Sequence, residues 1–434
     1  VSRDFLAEAV DRWPERRALS DGARAWTYAE LDRWVTGLAR RIRDEDAPGP
    51  DDVLALVTES TAEGVATVLA VMRAGITLAP LNPRLTETEL DAARRALAGS
   101  RPDGVAVLWT SGTSGAPRGV VLSSDNLRAS ASAAAERLSL GPSDRWLASL
   151  STAHVGGLAL VTRSVLLGSE TVAVGPFDAG RAAALIREGR VTHASLVPTQ
   201  LLRILEEVGD APPPETFRCA LIGGAHAPSG LVEHALEAGW PVALTYGMTE
   251  MSSQVATAPP ARVRRKPGTP GRALAGVELR IAPDGEILCR GATRAVGYVA
   301  SREPLVDGDG WVHTGDLGRL DEDGDLWITG RRSSRIISGG VTVDPTEVEE
   351  TLRTHPSVVD VCVVGLPDEE WGEKLAAAVI PVEGELELEA LDRWARECLS
   401  PAKRPRRWWL VGALPLNANG KVDRQRVEEG FRRS

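Results

Sequence analysis

Residues 107–121 read VLWTSGTSGAPRGVV, and the reading of this stretch decides the fold. The apolar run at 105–109 predicts a buried strand. Thr110, Ser111, Gly112, Thr113, Ser114 and Gly115 follow, with no bulky side chain among them. Pro117, Arg118 and Gly119 then lead into a second short apolar strand. Glycines let backbone N–H groups turn inward and approach an anion closely. The hydroxyls add donors, and Arg118 adds a permanent positive charge. Such a turn is a candidate cradle for a polyphosphate; the alternative is a Ser/Gly-rich surface turn. It lacks the GxxxxGK[ST] spacing of the usual P-loop.

The surrounding chain bounds what such a cradle could serve. With 434 residues, two or more domains are expected. A net charge of −10 argues against a general nucleic-acid role, so anionic substrates would need local positive groups. No apolar run approaches the ~18–20 residues of a membrane span. The N-terminal stretch VSRDFLAEAVDRW is charged and amphipathic rather than signal-like, so a soluble cytoplasmic protein is expected. Cys219, Cys289, Cys362 and Cys398 are scattered with no CxxC pair and read as reduced core cysteines. Of the fifty basic residues only Lys266, Lys374, Lys403 and Lys421 are lysines; the other forty-six are arginines. A lysine retained against that bias is a candidate for a task needing a compact, rotatable ammonium.

Strands and helices alternate on both sides of the glycine-rich stretch, which implies a mainly parallel sheet. Thr27 and Glu30 form a capping-box pattern for a helix over 26–44, and Thr86 and Glu89 another for a helix ending near Ala98. His154 stands before a glycine-rich helix start. Beyond it, residues 158–167 read LALVTRSVLL, apolar except for Thr162, Arg163 and Ser164. On a helix Arg163 would be flanked by Ala159, Leu160, Leu166 and Leu167. A guanidinium cannot shed its charge and is costly to bury unpaired, so an anion is expected to meet it. An internal acid or snorkelling to solvent are the structural alternatives. A strand over 220–224 ends in Gly223-Gly224-Ala225, where a flat group could lie on the backbone at a carboxyl strand end. Tyr246-Gly247-Met248-Thr249-Glu250 combines an aromatic face, a glycine turn, a hydroxyl for phosphate and a carboxylate for Mg²⁺. After Arg331 the pattern changes to a small α+β segment of about 100 residues, a normal domain size. In it Asp344 caps a helix with Pro345 at its first turn.

TSGTSGxPRG, YGMTE, Trp311-Val312-His313-Thr314-Gly315-Asp316, Gly330-Arg331 and the terminal PxxxxGK ending at Lys421 resemble, in order, the signatures of the adenylate-forming superfamily. That superfamily comprises acyl-CoA synthetases, adenylation domains and luciferases. The resemblance covers nearly the whole chain. It implies an α/β fold: a large, multi-subdomain N-terminal α/β domain (1–330), a hinge (331–333) and a small, mobile C-terminal α+β domain (334–434). It implies that a carboxylate attacks the α-phosphate of ATP in the cleft between domains, and that CoA then attacks the acyl-adenylate after the small domain has turned. It puts ATP phosphates on 110–115 and Arg118, adenine at Gly223, Gly224, Ala225, Tyr246 and Gly247, and ribose at Asp316 and Arg331. Thr249, Glu250 and Lys421 become catalytic, with Glu250 the Mg²⁺ ligand. His154, Arg163, Gly247, Met248 and Ser253 face the acyl group. Ser333 is the hinge, and Gly339 and Gly340 face the thiol tunnel.

The departures are Arg118 for the usual Lys, Ser333 and Ser334 for charged residues, and a very short segment between Leu97 and Val105. SLVPTQL at 195–201, GMTEMSSQV at 247–255 and the spacing of His154 from Arg163 resemble the CoA ligases of menaquinone biosynthesis, whose acid carries two carboxylates. Other aryl or acyl acids remain alternatives, as does a stand-alone adenylation protein that loads a carrier protein. The partners implied are small molecules; a homodimer is one option for the assembly.

Overall fold

The computed structural model describes residues 4–45, 53–110, 118–209, 211–299, 301, 303–338, 340–369, 371–382, 387–417 and 421–433. The chain forms two compact units. The first comprises Val1–Arg280, Leu288–His313 and Leu320–Leu326; the second comprises Ile281–Ile287, Thr314–Arg319 and Trp327–Ser434. The sequence suggested one boundary at residue 330. The line between the two compact units crosses the strands Val277–Ile281, Glu286–Gly291, Val312–Leu320 and Leu326–Arg331, and Asp316 and Arg331 fall in the second unit.

In the first unit, local rules start and stop the helices. Thr27 and Glu30 exchange hydrogen bonds, the Thr27 N–H donating to Glu30 Oε2 at 2.8 Å. The helix Tyr28–Glu45 begins two residues later than the apolar spacing suggested, because Ala25–Thr27 pairs as a strand with Arg17–Ser20. Thr86 and Glu89 close a full capping box on the helix Glu87–Leu97. The helix Val155–Leu167 starts tightly: a Cβ at Gly157 would lie 2.2 Å from the Ser151 carbonyl oxygen.

Among the described residues an eight-stranded sheet runs in the order Ser253–Ala258, Val242–Met248, Cys219–Ile222, His193–Leu196, Arg145–Leu147, Glu170–Val172, Arg17–Ser20, Ala25–Thr27. Its two outermost pairings are antiparallel and the inner ones parallel. Parallel strands need both faces covered. Leu158, Leu160 and Val161 belong to one apolar cluster; Ile204, Leu205 and Val232 belong to another. A five-stranded sheet places Gly297–Val299 beside Arg118–Leu122, then Ala106–Thr110, Thr77–Leu81 and Val53–Val57.

The second unit is built on a sheet in the order Val341–Val343, Ile336–Ser338, Gly372–Pro381, Val358–Asp368, with Arg407–Leu410 parallel to Gly372–Pro381. The Asp344 carboxylate caps the helix Pro345–Arg353 by accepting from the Thr346 N–H at 2.8 Å. Val348, Leu352 and Leu391 fill one face of its core, and Val427 and Phe431 the other. Cys219, Cys289 and Cys362 are free and buried as expected, but Cys398 is exposed and is no core residue. Among the described residues no helix is long and apolar enough to cross a membrane.

Candidate active site

The glycine-rich stretch joins two antiparallel strands. Thr110 pairs with Arg118 across the ladder, so both ends of the connection are fixed side by side. Ser111, Gly112, Thr113, Ser114 and Gly115 lie outside the described residues. The Arg118 guanidinium pairs with Glu303 Oε2 at 2.7 Å and lies 5.5 Å from the ring centroid of Tyr298.

Gly223, Gly224 and Ala225 follow the carboxyl end of Cys219–Ile222, with Gly224 and Ala225 exposed. A Cβ at Gly223 would meet Thr245 Cγ2 at 2.6 Å, and Gly224 has φ +80°. The neighbouring strand carries Tyr246, Gly247 and Met248 into a 3₁₀ turn, Thr249–Met251. At Gly247 a Cβ would stand 1.8 Å from the Ser253 carbonyl oxygen, so the hairpin closes only around a glycine. Ser252 and Ser253 carry φ of +54° and +110°, conformations that cost an L-residue energy and gather at functional sites. Glu250 and Thr249 offer a carboxylate and a hydroxyl from adjacent residues of one turn, a hard-oxygen set that suits Mg²⁺. Tyr298 Oη donates to Glu250 Oε1 at 3.3 Å. Burial first, then the Glu250 charge, pushes the Tyr298 pKa up to about 12.

His154 is the N-cap of the helix Val155–Leu167, and its Nε2 lies 3.2 Å from Asn82 Nδ2. On the same helix Arg163 is 4% exposed. Neither structural alternative holds: it reaches no solvent, and among the described residues no carboxylate pairs with it. Its NH1 donates to Gln254 Oε1 at 3.2 Å, its guanidinium lies 4.4 Å from the Trp146 ring centroid, and its Nε is buried without a partner. Trp146 in turn stacks on His193, with centroids 4.6 Å apart. Desolvation pulls the Arg163 pKa down to about 10. Burial, then Arg163, pulls His193 down to about 3, so the imidazole is neutral. Gln254 pairs with Gly247 across the hairpin, and Ser253 with Met248, which links Arg163 to the four residues 247, 248, 253 and 254. Sequence reasoning missed Trp146, and it quoted Gln254 only within the 247–255 stretch, without a role. Each meets Arg163 only through the tertiary fold.

In the second unit Arg331 Nε lies 3.5 Å from Asp316 Oδ1, so the two expected ribose ligands are brought together. Glu286 holds this corner: its Oε1 accepts from the Gly315 N–H at 2.9 Å and its Oε2 lies 3.1 Å from Arg332 NH2. Ser333 lies in the 3₁₀ turn Arg332–Ser334. Lys421 keeps solvent-accessible surface. Desolvation and then the Arg331 charge nevertheless draw its pKa below the ordinary lysine value, against the pull of Asp316. Gly340 is an exposed turn residue with φ +77°; Gly339 lies outside the described residues. A groove of about 810 Å³ is lined by Arg393, Arg396, Arg404, Arg406 and Trp408, and also by Glu389 and by Asp392, which pairs with Arg396 at 2.8 Å. The run Lys403-Arg404-Pro405-Arg406-Arg407 was a legible signal for it.

One cluster in the first unit looks like a metal site. Asp321, Asp323 and Asp325 gather their carboxylates within ligand distance of a common point. The Lys266 ammonium occupies that point, 2.9 Å from Asp321, 3.2 Å from Asp325 and in contact with Asp323.

Together, two strands flanking the glycine-rich sequence, the glycines that follow Cys219–Ile222 and the turn bearing Thr249 and Glu250 fit an enzyme of the AMP-forming type. The AMP-binding enzyme family model matches residues 6–98 and 94–306, and the model of its C-terminal domain matches 347–421. The chain belongs to the AMP-binding enzyme family. It is 36% identical to the 2-succinylbenzoate–CoA ligase of Geobacillus kaustophilus over 98% of this chain and 97% of that protein. The solved o-succinylbenzoate CoA synthetase of Bacillus subtilis with the acyl-adenylate OSB-AMP superposes with a TM-score of 0.88 at 30% identity, covering 98% of both chains. The same enzyme with ATP and magnesium superposes with a TM-score of 0.86 at 29% identity, covering 98% of this chain and 99% of that one.

Proposed function

We propose that this chain is an AMP-forming carboxylate–CoA ligase whose acid is 2-succinylbenzoate. The carrying observation is Arg163: a permanent charge, 4% exposed, that meets an amide oxygen and an indole face but no carboxylate among the described residues. A substrate with a second carboxylate supplies the missing anion. The succinyl carboxylate is activated while the ring carboxylate stays with Arg163.

In the first half-reaction a carboxylate oxygen attacks the α-phosphorus of ATP, the bond to the β-phosphate oxygen breaks, and pyrophosphate leaves. Two anions must approach, so positive charge has to stand between them. Lys421 supplies it on one side, and Arg118 with the glycine-rich turn holds the leaving phosphates. Glu250 and Thr249 would hold Mg²⁺, which supplies further charge neutralisation when bound. Asp316 and Arg331 orient the ribose. In the second half-reaction the CoA sulfur attacks the acyl carbonyl and AMP leaves. The arginine-lined groove of the second unit offers the charge that a phosphate-bearing thiol donor requires. In this reading the 3₁₀ turn at Arg332–Ser334 is the hinge, and Lys421 would be needed only for the first step.

The test is pyrophosphate release from ATP and 2-succinylbenzoate without thiol, followed by thioester formation on adding CoA, across a panel of mono- and dicarboxylic acids. Selective turnover of the diacid is expected. Activation of an amino acid, or transfer only to a carrier protein, would overturn the assignment.

A further inference from the structure

Tyr298 lies outside every motif that pointed to nucleotide chemistry, yet it touches both ends of the candidate triphosphate site. Its strand, Gly297–Val299, runs antiparallel to Arg118–Leu122, the strand that leaves the phosphate turn. The register is locked by Gly119: a Cβ there would meet Val299 Cγ1 at 2.4 Å and Val107 Cγ1 at 2.9 Å. Just before that strand, the Ala295 N–H donates to the backbone carbonyl of Glu250 at 2.9 Å. The strand is therefore fixed to the strand that carries Arg118 on one side and to the Glu250 turn on the other. From it the Tyr298 hydroxyl donates to Glu250 Oε1 at 3.3 Å, while its ring lies 5.5 Å from the Arg118 guanidinium. Glu303, five residues on, pairs with Arg118 at 2.7 Å.

We propose that Tyr298 is a positioning residue for a metal–nucleoside triphosphate. Its hydroxyl sets the rotamer of the metal-binding carboxylate, and its ring sets the cation that meets the phosphates. One side chain thus ties the metal end of the ligand to the phosphate end. The proposal rests on the reading that Glu250 takes the divalent ion. A hydrogen bond from Tyr298 narrows the orientations of the Glu250 carboxylate, so less of it has to be ordered when the ion arrives. A cation over an aromatic face is likewise restrained before the phosphates bind.

The experiment is calorimetric titration of the full chain with ATP, with excess Mg²⁺ and again with EDTA, using wild type, Tyr298→Phe and Tyr298→Leu. Phenylalanine removes only the hydroxyl. Tyr298→Phe should weaken Mg²⁺-ATP binding about three- to tenfold, as loss of one hydrogen bond to a charged group implies, and leave metal-free ATP binding within about twofold. Tyr298→Leu removes the ring as well and should also weaken metal-free binding about two- to fivefold. A Tyr298→Phe variant equal to wild type with Mg²⁺, or weakened equally with and without the ion, overturns the proposal. If wild type itself binds ATP equally with and without Mg²⁺, the Glu250 reading falls and this inference with it. A wild type that responds to the ion beside an unresponsive variant overturns only the role of Tyr298. Melting curves of the three proteins without ligand identify a variant that has lost its fold, and the phenylalanine variant retains the packing that protects against it.

Discussion

Replacing Arg163 with Met separates a ligand-binding charge from a structural one, because the two predict opposite changes in stability. Desolvation lowers the Arg163 pKa from 12.5 to about 10. For a base, a folded pKa below the unfolded one means that burial of the charged form costs stability. The cost is roughly 3 kcal/mol at 1.36 kcal/mol per pKa unit. It is present in full at neutral pH, fades as pH rises from about 10 to 12.5, and is gone above the unfolded value. Against it stand a cation–π contact with Trp146, about 1–2 kcal/mol, and a hydrogen bond to Gln254, about 1–2 kcal/mol for a charged donor. These terms nearly cancel. Arg163→Met should therefore leave the ligand-free protein within about 1 kcal/mol of wild type, as replacement of buried charge by an apolar side chain of similar size often does. Removing one partner of a buried ion pair would instead cost about 3–5 kcal/mol.

The catalytic consequence should be large. An Arg–carboxylate pair in a partly dry pocket contributes roughly 2–4 kcal/mol. At about 1.4 kcal/mol per factor of ten, Arg163→Met should lower kcat/KM for 2-succinylbenzoate about 30- to 1000-fold. Arg163→Lys should recover part of this, since the charge returns without the fork geometry. A monoacid lacking the ring carboxylate should be poor with wild type and little changed by the substitution. The assays are thermal melting without ligand and steady-state thioester formation with both acids. A variant that melts well below wild type and loses both acids alike would refute the reasoning and make Arg163 structural.

Lys421→Ala should abolish adenylate formation by several orders of magnitude, yet still convert pre-formed acyl-adenylate to thioester; equal loss of both steps in rapid-quench assays would refute the two-step role. In wild type the adenylation rate should fall as pH rises through a value below 10.5, since the lysine must be charged and burial, then the Arg331 charge, depresses its pKa; Arg331→Gln should move that limb part of the way upward. Ser333→Pro should keep adenylation, because the proline φ suits the 3₁₀ turn there, while slowing thioester formation; unchanged overall turnover would count against a hinge at this residue. Asp325→Ala, at a fully buried carboxylate that holds Arg262 and Lys266, should lower stability by about 3 kcal/mol in urea titration; an unchanged midpoint would show that the remaining aspartates suffice.

What was legible in the sequence was local. The capping boxes at Thr27 and Thr86, the Asp344 cap and the two strands that flank the glycine-rich stretch each depend on residues a few positions apart, and each stands in the structure. What was not legible depends on the sheets. Arg163 was legible as a charge needing a partner, but Gln254 lies ninety-one residues away and Trp146 faces it only because their elements pack together. Tyr298 and Glu303 reach Arg118 through a strand that joins the sheet from far along the chain. The interleaved boundary of the two units was hidden for the same reason, since contacts between distant segments decide it.

The scarcity of lysine singled out four residues, and the structure shows that scarcity alone does not distinguish the candidate catalytic one. Lys266 fills a cage of three aspartates, a space shaped for an ammonium rather than a planar guanidinium. Lys374 pairs with Asp368 at 2.7 Å, and Lys403 pairs with Glu347. Three of the four are thus engaged in ion pairs within their own units. Lys421 differs: among the described residues it makes no ion pair, and the nearby charge of Arg331 repels it. A lysine held beside a second cation is unfavourable in the resting protein and favourable when an anion arrives. The same logic applies to Arg163, buried with an amide and an indole in place of an acid. Each is a positive charge with no ion pair among the described residues, and each is open to an anion within its own unit.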